Sequence, residues 1–161
     1  MALIIEAPKE VYSLYNNNNI KLFLAGGIAG CEDWQNYVVG ELQDVKNLTI
    51  YNPRRKNSPI EDPLASEEQI TWEFNHLRDA DMILFWFSRG SLNPIVLYEY
   101  GAHGMFSERH IFVGIDPEYT RKQDVMIQTT LGRSEQIIHT SLDTMIEEIK
   151  ELLREINNNC I

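Results

Sequence analysis

Ile20-Lys21-Leu22-Phe23-Leu24-Ala25-Gly26-Gly27 is the stretch on which the fold turns. It is an apolar run that stops on a glycine pair, the pattern of a buried strand leading into a tight turn. Cys31 to Leu42 follows as a helix, with Trp34, Tyr37, Val38 and Leu42 on one face. A strand, a glycine turn and a helix in succession open a parallel α/β fold, and they present the backbone of Ala25, Gly26 and Gly27 at the carboxyl end of the strand, where such sheets bind ligands. The glycine pair lacks the GxGxxG and Walker lysine patterns, so neither a dinucleotide nor a nucleoside triphosphate is indicated.

The sheet extends from this strand in both directions. Leu48 to Tyr51 reads as a second strand and ends in Asn52-Pro53-Arg54-Arg55-Lys56, the densest basic patch of the chain. Arg54 there offers a bidentate donor to a phosphate or substrate oxygen, but a solvated loop or an ion pair in an oligomer fits the same residues. Pro63 to Asp79 is predicted as a helix, with Ser66 as N-cap, Glu67 and Glu68 in the first turn, and Ile70, Phe74 and Leu77 on the apolar face near Trp72. Glu73 lies beside that face, far from the caps. Asp81 to Phe87 is a fully buried strand by its length and aromatic content, and Ser88-Arg89-Gly90-Ser91 carries its carboxyl end. His110 to Ile115 and Gln136 to His139 complete five strands. Leu3 to Ile5 is a possible short edge strand, and Asn16 to Asn19 a polar loop. Asp116 to Ser134 lacks a strong period and reads as a long loop or lid, and Thr140 to Ile156 as an amphipathic core helix.

Within Gly90 to Ser107, Glu99 is the only formal charge. Asn93 as N-cap and Pro94 at the first helical position begin a helix there. Ile95, Val96, Leu97, Tyr98, Tyr100 and Ala102 leave almost no polar face, so the helix is predicted to be largely buried. A carboxylate in that setting is paired, neutralised or functional. The competing reading is a structural Glu capped by an Arg.

The chain has 161 residues, 43% hydrophobic and 24% charged, which suits one domain over 1–161 with residues 1–19 as an N-terminal extension. A formal charge of −10 disfavours nucleic acid and anionic membranes as partners and leaves a small molecule. Cys31 and Cys160 lie too far apart in sequence for a metal-ligand spacing or a disulfide framework, so no metal site or cofactor is expected and the compartment reads as reducing. No run reaches the ~18 apolar residues of a membrane span, and no basic segment leads into an apolar leader. The expected location is the cytoplasm.

Taken together, Leu-Ala-Gly-Gly-Ile-Ala (24–29), Asp-Trp-Gln (33–35), Tyr-Asn-Pro-Arg-Arg (51–55), Trp-Glu (72–73), Asp-Met-Ile-Leu-Phe-Trp-Phe (81–87) and Tyr-Glu-Tyr-Gly-Ala (98–102) resemble the nucleoside 2-deoxyribosyltransferase-like family. The likeness runs from about residue 20 to about residue 115. It implies a flavodoxin-like or Rossmann-like three-layer sandwich around a central, mainly parallel five-stranded sheet. It also implies base exchange on 2′-deoxyribonucleosides. The Glu matching Glu99 attacks C1′, the base leaves, and a second free base attacks the deoxyribosyl-enzyme from the opposite side, a logic shared with retaining glycoside chemistry.

In the resemblance, Glu73 stands where a family carboxylate helps to hold the base, although the usual residue is Asp. Asn93 stands where another family Asp protonates or orients the base. An amide cannot deliver a proton, so Asn93 either reads a base edge or simply caps its helix. Phe23 replaces a tyrosine that orients the nucleophile, and Tyr98, Tyr100 or a tyrosine of another subunit are the candidates to take its place. Trp34 and Trp86, flanking the two strand ends, are expected near the base or sugar. The family forms dimers that share active sites, which implies a homo-oligomer and suits an aromatic surface around Trp72 and Trp86. Two alternatives stand beside the transferase. One is a glycosidase of (deoxy)nucleoside 5′-monophosphates, with Arg54, Arg55, Ser88, Arg89 and Ser91 holding the phosphate. The other is a non-catalytic nucleotide-binding module.

Overall fold

In the computed structural model, which describes residues 1–9, 18–55 and 63–159, six strands form one parallel sheet. The elements are β1 (Leu3–Glu6), β2 (Ile20–Gly26), α1 (Trp34–Leu42), β3 (Leu48–Asn52), α2 (Pro63–Asp79), β4 (Met82–Phe87), α3 (Pro94–Glu99), a π-helical turn (Tyr100–Gly104), β5 (His110–Ile115), α4 (Lys122–Gly132), β6 (Ile138–His139) and α5 (Leu142–Asn159). The strand order is β1-β3-β2-β4-β5-β6. The chain moves from β2 outward to β3, then returns past β2 to β4. That reversal leaves a crevice between the carboxyl ends of β2 and β4, the place where open α/β sheets take ligands.

Side-chain alternation along the strands divides the core in two. Phe23, Ala25, Tyr51, Ile83, Phe85, Phe87 and Val113 face α2, α3 and α4. Leu22, Leu24, Ile50, Met82, Leu84, Trp86 and Phe112 face α1 and α5. The result is the expected three-layer, flavodoxin-like sandwich. It has six strands rather than five because Leu3–Glu6 pairs in full parallel register with β3, Leu3 opposite Thr49 and Glu6 opposite Asn52.

Several local expectations are corrected. Pro63 opens α2 itself, its fixed φ suiting the first helical position, so Ser66 lies inside the helix rather than capping it and no acidic side chain falls in the first turn. The buried stripe of α2 is Trp72, His76 and Leu77, while Ile70 and Phe74 are exposed. Trp72 sets that rotation: its ring stacks on His76 at 3.9 Å and meets Tyr51 edge-on. Trp72 and Trp86 are both buried, so they form no aromatic surface.

The segment 116–134 contains α4, which is hard to recognise because Val125 and Thr129 face inward while Met126, Ile127 and Leu131 are exposed. The strand expected from Gln136 shrinks to Ile138–His139. The short α3 is not buried all round. It seats Val96 against the sheet and leaves Ile95 62% and Tyr98 76% exposed. Lys56, Cys160 and part of the Asn16–Asn19 run lie outside the described residues. Among the described residues no helix is long and apolar enough to cross a membrane.

Candidate active site

The crevice between β2 and β4 holds a cavity of about 320 Å³, within the size range of small-molecule sites. Its floor is Phe23, Ala25 and Gly26 of β2, and Gly27, Ile28 and Ala29 form one lip. Pro53 follows β3, Glu73 projects from α2, and Ser91, Asn93, Pro94, Ile95, Val96 and Glu99 close the far side. Sequence reading identified Phe23, Ala25, Gly26, Gly27, Glu73, Ser91, Asn93 and Glu99. All eight meet at this one cavity.

Gly27 is required by close approach. A Cβ there would lie 2.0 Å from Asn93 Oδ1 and 2.5 Å from Cys31 Sγ. Its carbonyl accepts the Trp34 indole N–H at 3.0 Å and the Gln35 amide at 3.3 Å, which fastens the glycine turn to α1. Asn93 begins α3 with φ 50° and ψ 52°, the left-handed conformation that Asn tolerates better than most residues. Its side chain makes no capping bond. Instead Nδ2 donates to the Ser88 carbonyl at 3.0 Å, and Oδ1 accepts the Cys31 thiol at 3.5 Å. An Asp in this place would set a carboxylate oxygen against that carbonyl. Asn93 therefore ties the loop after β4 to the loop after β2.

The two carboxylates reach the cavity from different helices. Glu99 has no hydrogen-bond or ion-pair partner among the described residues. Burial, and then the charge of Glu73, pushes its pKa up to about 8. Glu73 is also raised by burial, opposed by a hydrogen bond from Gln69 and by the nearby Arg55 charge. Gln69 Nε2 donates to Glu73 Oε1 at 2.6 Å and to the Pro53 carbonyl at 2.8 Å, while Gln69 Oε1 accepts from Arg55 Nε. Two acids on an otherwise uncharged wall, one of them without a partner among the described residues, suit a nucleophile working beside a proton carrier.

Trp34, Arg54 and Trp86 do not reach the cavity wall. Trp86 is one position out of phase with Phe85 and Phe87, so it points to the α1/α5 side of the sheet, away from Phe23 and Ala25. Trp34 lies beneath the glycine turn. Arg54 pairs with Asp33 at 3.1 Å and donates to Gln35 Oε1 and to the carbonyls of Ile28 and Glu32. Arg55 pairs with Glu68 at 3.0 Å, and Arg89 pairs with Asp116 at 3.3 Å and with Glu118. Among the described residues no cation lines the cavity. Nor do the candidate tyrosines, since Tyr98 points to solvent and the Tyr100 hydroxyl meets Thr129 Oγ1 at 2.8 Å.

Sequence reasoning missed Ile28, Ala29, Pro53, Pro94, Ile95 and Val96 on the wall, and Gln35 and Gln69 behind it. Helical spacing holds the signal for three of them: Ile95 and Val96 share a side of α3 with Glu99, and Gln69 stands one turn before Glu73. Among the described residues there is no cluster of His, Cys, Asp and Glu able to hold a metal ion. A family model described as "Nucleoside 2-deoxyribosyltransferase like" matches residues 19–119, a span that includes every residue lining the cavity. No curated protein matches the chain.

Proposed function

Because the chain belongs to the nucleoside 2-deoxyribosyltransferase-like family, we propose that it exchanges the base of 2′-deoxyribonucleosides through a covalent deoxyribosyl-Glu99 intermediate. One observation carries the reading: Glu99, with no partner among the described residues, shares a small cavity at the sheet's reversal point with a second acid, Glu73. The Glu99 carboxylate attacks C1′ as the N-glycosidic bond breaks, the bonding pair passes to the base nitrogen, and Glu73 gives that base its proton. A second base then attacks C1′ from the opposite side, the C1′–Oε bond breaks, Glu99 is freed as a carboxylate, and Glu73 takes the proton of the incoming base. Asn93 takes no part in proton transfer. Its amide is committed to Ser88 and Cys31 and shapes the lip.

The substrate proposed is the uncharged nucleoside rather than its 5′-monophosphate, because Arg54, Arg55 and Arg89 are each paired with carboxylates, and Arg54 and Arg55 also with carbonyls. The exposed apolar residues of α3, Ile95 and Tyr98 among them, are the face proposed for a second copy of the chain, since Ile95 also borders the cavity. Incubating the protein with a deoxynucleoside, with and without a free acceptor base, tests the activity. The expected product is the exchanged nucleoside, formed only when the acceptor is present. Free deoxyribose in equal yield with or without acceptor makes the protein a hydrolase, and no turnover leaves it a binding module.

The acid role is separately testable. Glu73→Gln is expected to slow single-turnover cleavage by about 100-fold or more for poor leaving bases. Activated bases, which depart without a proton, should be nearly unaffected. An equal defect for every leaving group would leave Glu73 as a binding residue only.

A further inference from the structure

Resting on the reading of Glu73 as the acid, we infer that Gln69, oriented by Arg55, is a positioning residue that dictates which oxygen of Glu73 carries the transferable proton. The argument begins with Arg55, whose guanidinium only donates hydrogen bonds. Its side chain is 9% exposed and is neutralised by Glu68. Arg55 Nε meets the Gln69 amide, so the Gln69 oxygen must face it. The Gln69 nitrogen then faces the Pro53 carbonyl and Glu73 Oε1 at 2.8 and 2.6 Å, which uses both of its hydrogens. Turning the amide over would oppose donors at Arg55 and acceptors at Pro53 and Glu73, so a single orientation survives.

Glu73 Oε1 therefore always faces an N–H and is held as an acceptor. A proton on Glu73 goes to Oε2, which has no partner among the described residues, and that is the oxygen left for the cavity. An acid whose proton sat on Oε1 would have to rotate its carboxyl before delivering it. Gln69 and Arg55 thus reach the reaction without touching substrate. The hydrogen bond from Gln69 also favours the Glu73 anion, so its removal should move the limb of the pH–rate profile on which Glu73 loses its proton to higher pH.

The test compares wild type, Gln69→Met, Arg55→Met and the double variant, with Glu73→Gln alongside, in single-turnover cleavage of substrates with leaving bases of graded basicity. Circular dichroism identifies the variants that fold. Gln69→Met is expected to slow poor leaving bases about tenfold or more while sparing activated ones, and to shift the Glu73 limb to higher pH. Arg55→Met is expected to do the same more weakly. On the Gln69→Met background it should add nothing to the leaving-base selectivity, because that effect acts through the amide, while its direct charge effect on the Glu73 limb persists. A uniform Gln69→Met defect with an unmoved pH limb, or Arg55 and Gln69 effects on leaving-base selectivity that simply add, overturns the inference while a selective Glu73→Gln defect keeps the acid role. A Glu73→Gln defect that is itself uniform removes the acid role and this inference with it. Should Gln69→Met not fold, the selectivity and the pH limb of Arg55→Met decide alone.

Discussion

Glu99→Gln is expected to fold and to lose turnover by about three orders of magnitude or more. The carboxylate supplies the electron pair that holds C1′ between the two bases, and an amide oxygen cannot form a glycosyl ester that a base then displaces. The substitution keeps size and shape in a cavity where Glu99 has no partner to leave behind among the described residues, so the lost rate reports chemistry rather than packing. Single-turnover cleavage of a deoxynucleoside measures it. Intact-mass analysis of the wild type, quenched with deoxynucleoside and no acceptor, should show a deoxyribosyl adduct that is absent from the variant. A variant retaining near wild-type rate would rule out the covalent route.

The second large effect is on stability, and its sign is opposite to intuition for a conserved-size change at an active site. In the unfolded chain Glu99 ionises near the ordinary value of 4.5, whereas in the folded protein its pKa is about 8. Between those values the folded state holds a proton that the unfolded chain has released. Stability therefore falls as pH rises through that window, by roughly 1.4 kcal/mol per pH unit and by ~5 kcal/mol across it. Below pH 4.5 the penalty is absent, and above pH 8 it is complete. Glu73 adds in the same direction. Glu99→Gln carries no ionisable group at this position, so at pH 7 it should be more stable than the parent by about 3 kcal/mol, with the two converging near pH 4.5. Urea midpoints of both proteins from pH 4.5 to 8.5 provide the measurement, and parallel curves would show that burial of Glu99 does not perturb it. The catalytic counterpart is that kcat/KM should climb with pH as Glu99 ionises.

The sheet, its reversal point and Glu99 are legible in the sequence because each is written in strong local patterns, whereas Glu73 is marked as a site residue only by the family resemblance. A buried parallel strand is a run of apolar residues, and a lone charge among such residues stands out. Rotations about helix axes were less legible. Ile70, Phe74 and Leu77 have helical spacing, yet only Leu77 is buried with Trp72 and His76, whose rings stack on each other and meet Tyr51 of the sheet edge-on. Trp86 was placed near the ligand by its position at a strand end, but alternation turns it to the other layer. The arginines of 54–55 leave ligand contact and ion pairing open in the sequence, because a sequence does not show which carboxylates and carbonyls fold back onto them. Glu99 stands out as the one charge in an uncharged stretch and Asn93 as a helix start where the family has Asp, whereas Gln35 and Gln69 are ordinary polar residues whose roles come only from what surrounds them.

Trp34, displaced from the cavity, still bears on it through one peptide plane. A trans peptide points its carbonyl and its N–H in opposite directions. The Gly27 carbonyl is gripped from the α1 side by the Trp34 indole and the Gln35 amide, so the N–H of Ile28, the other end of that plane, is aimed away from α1. The two side chains act as a vice on one end of a rigid plate and so set the bearing of the other. Loosening either jaw, as in Trp34→Phe, would let the plate swing at the cavity lip while every wall residue kept its identity.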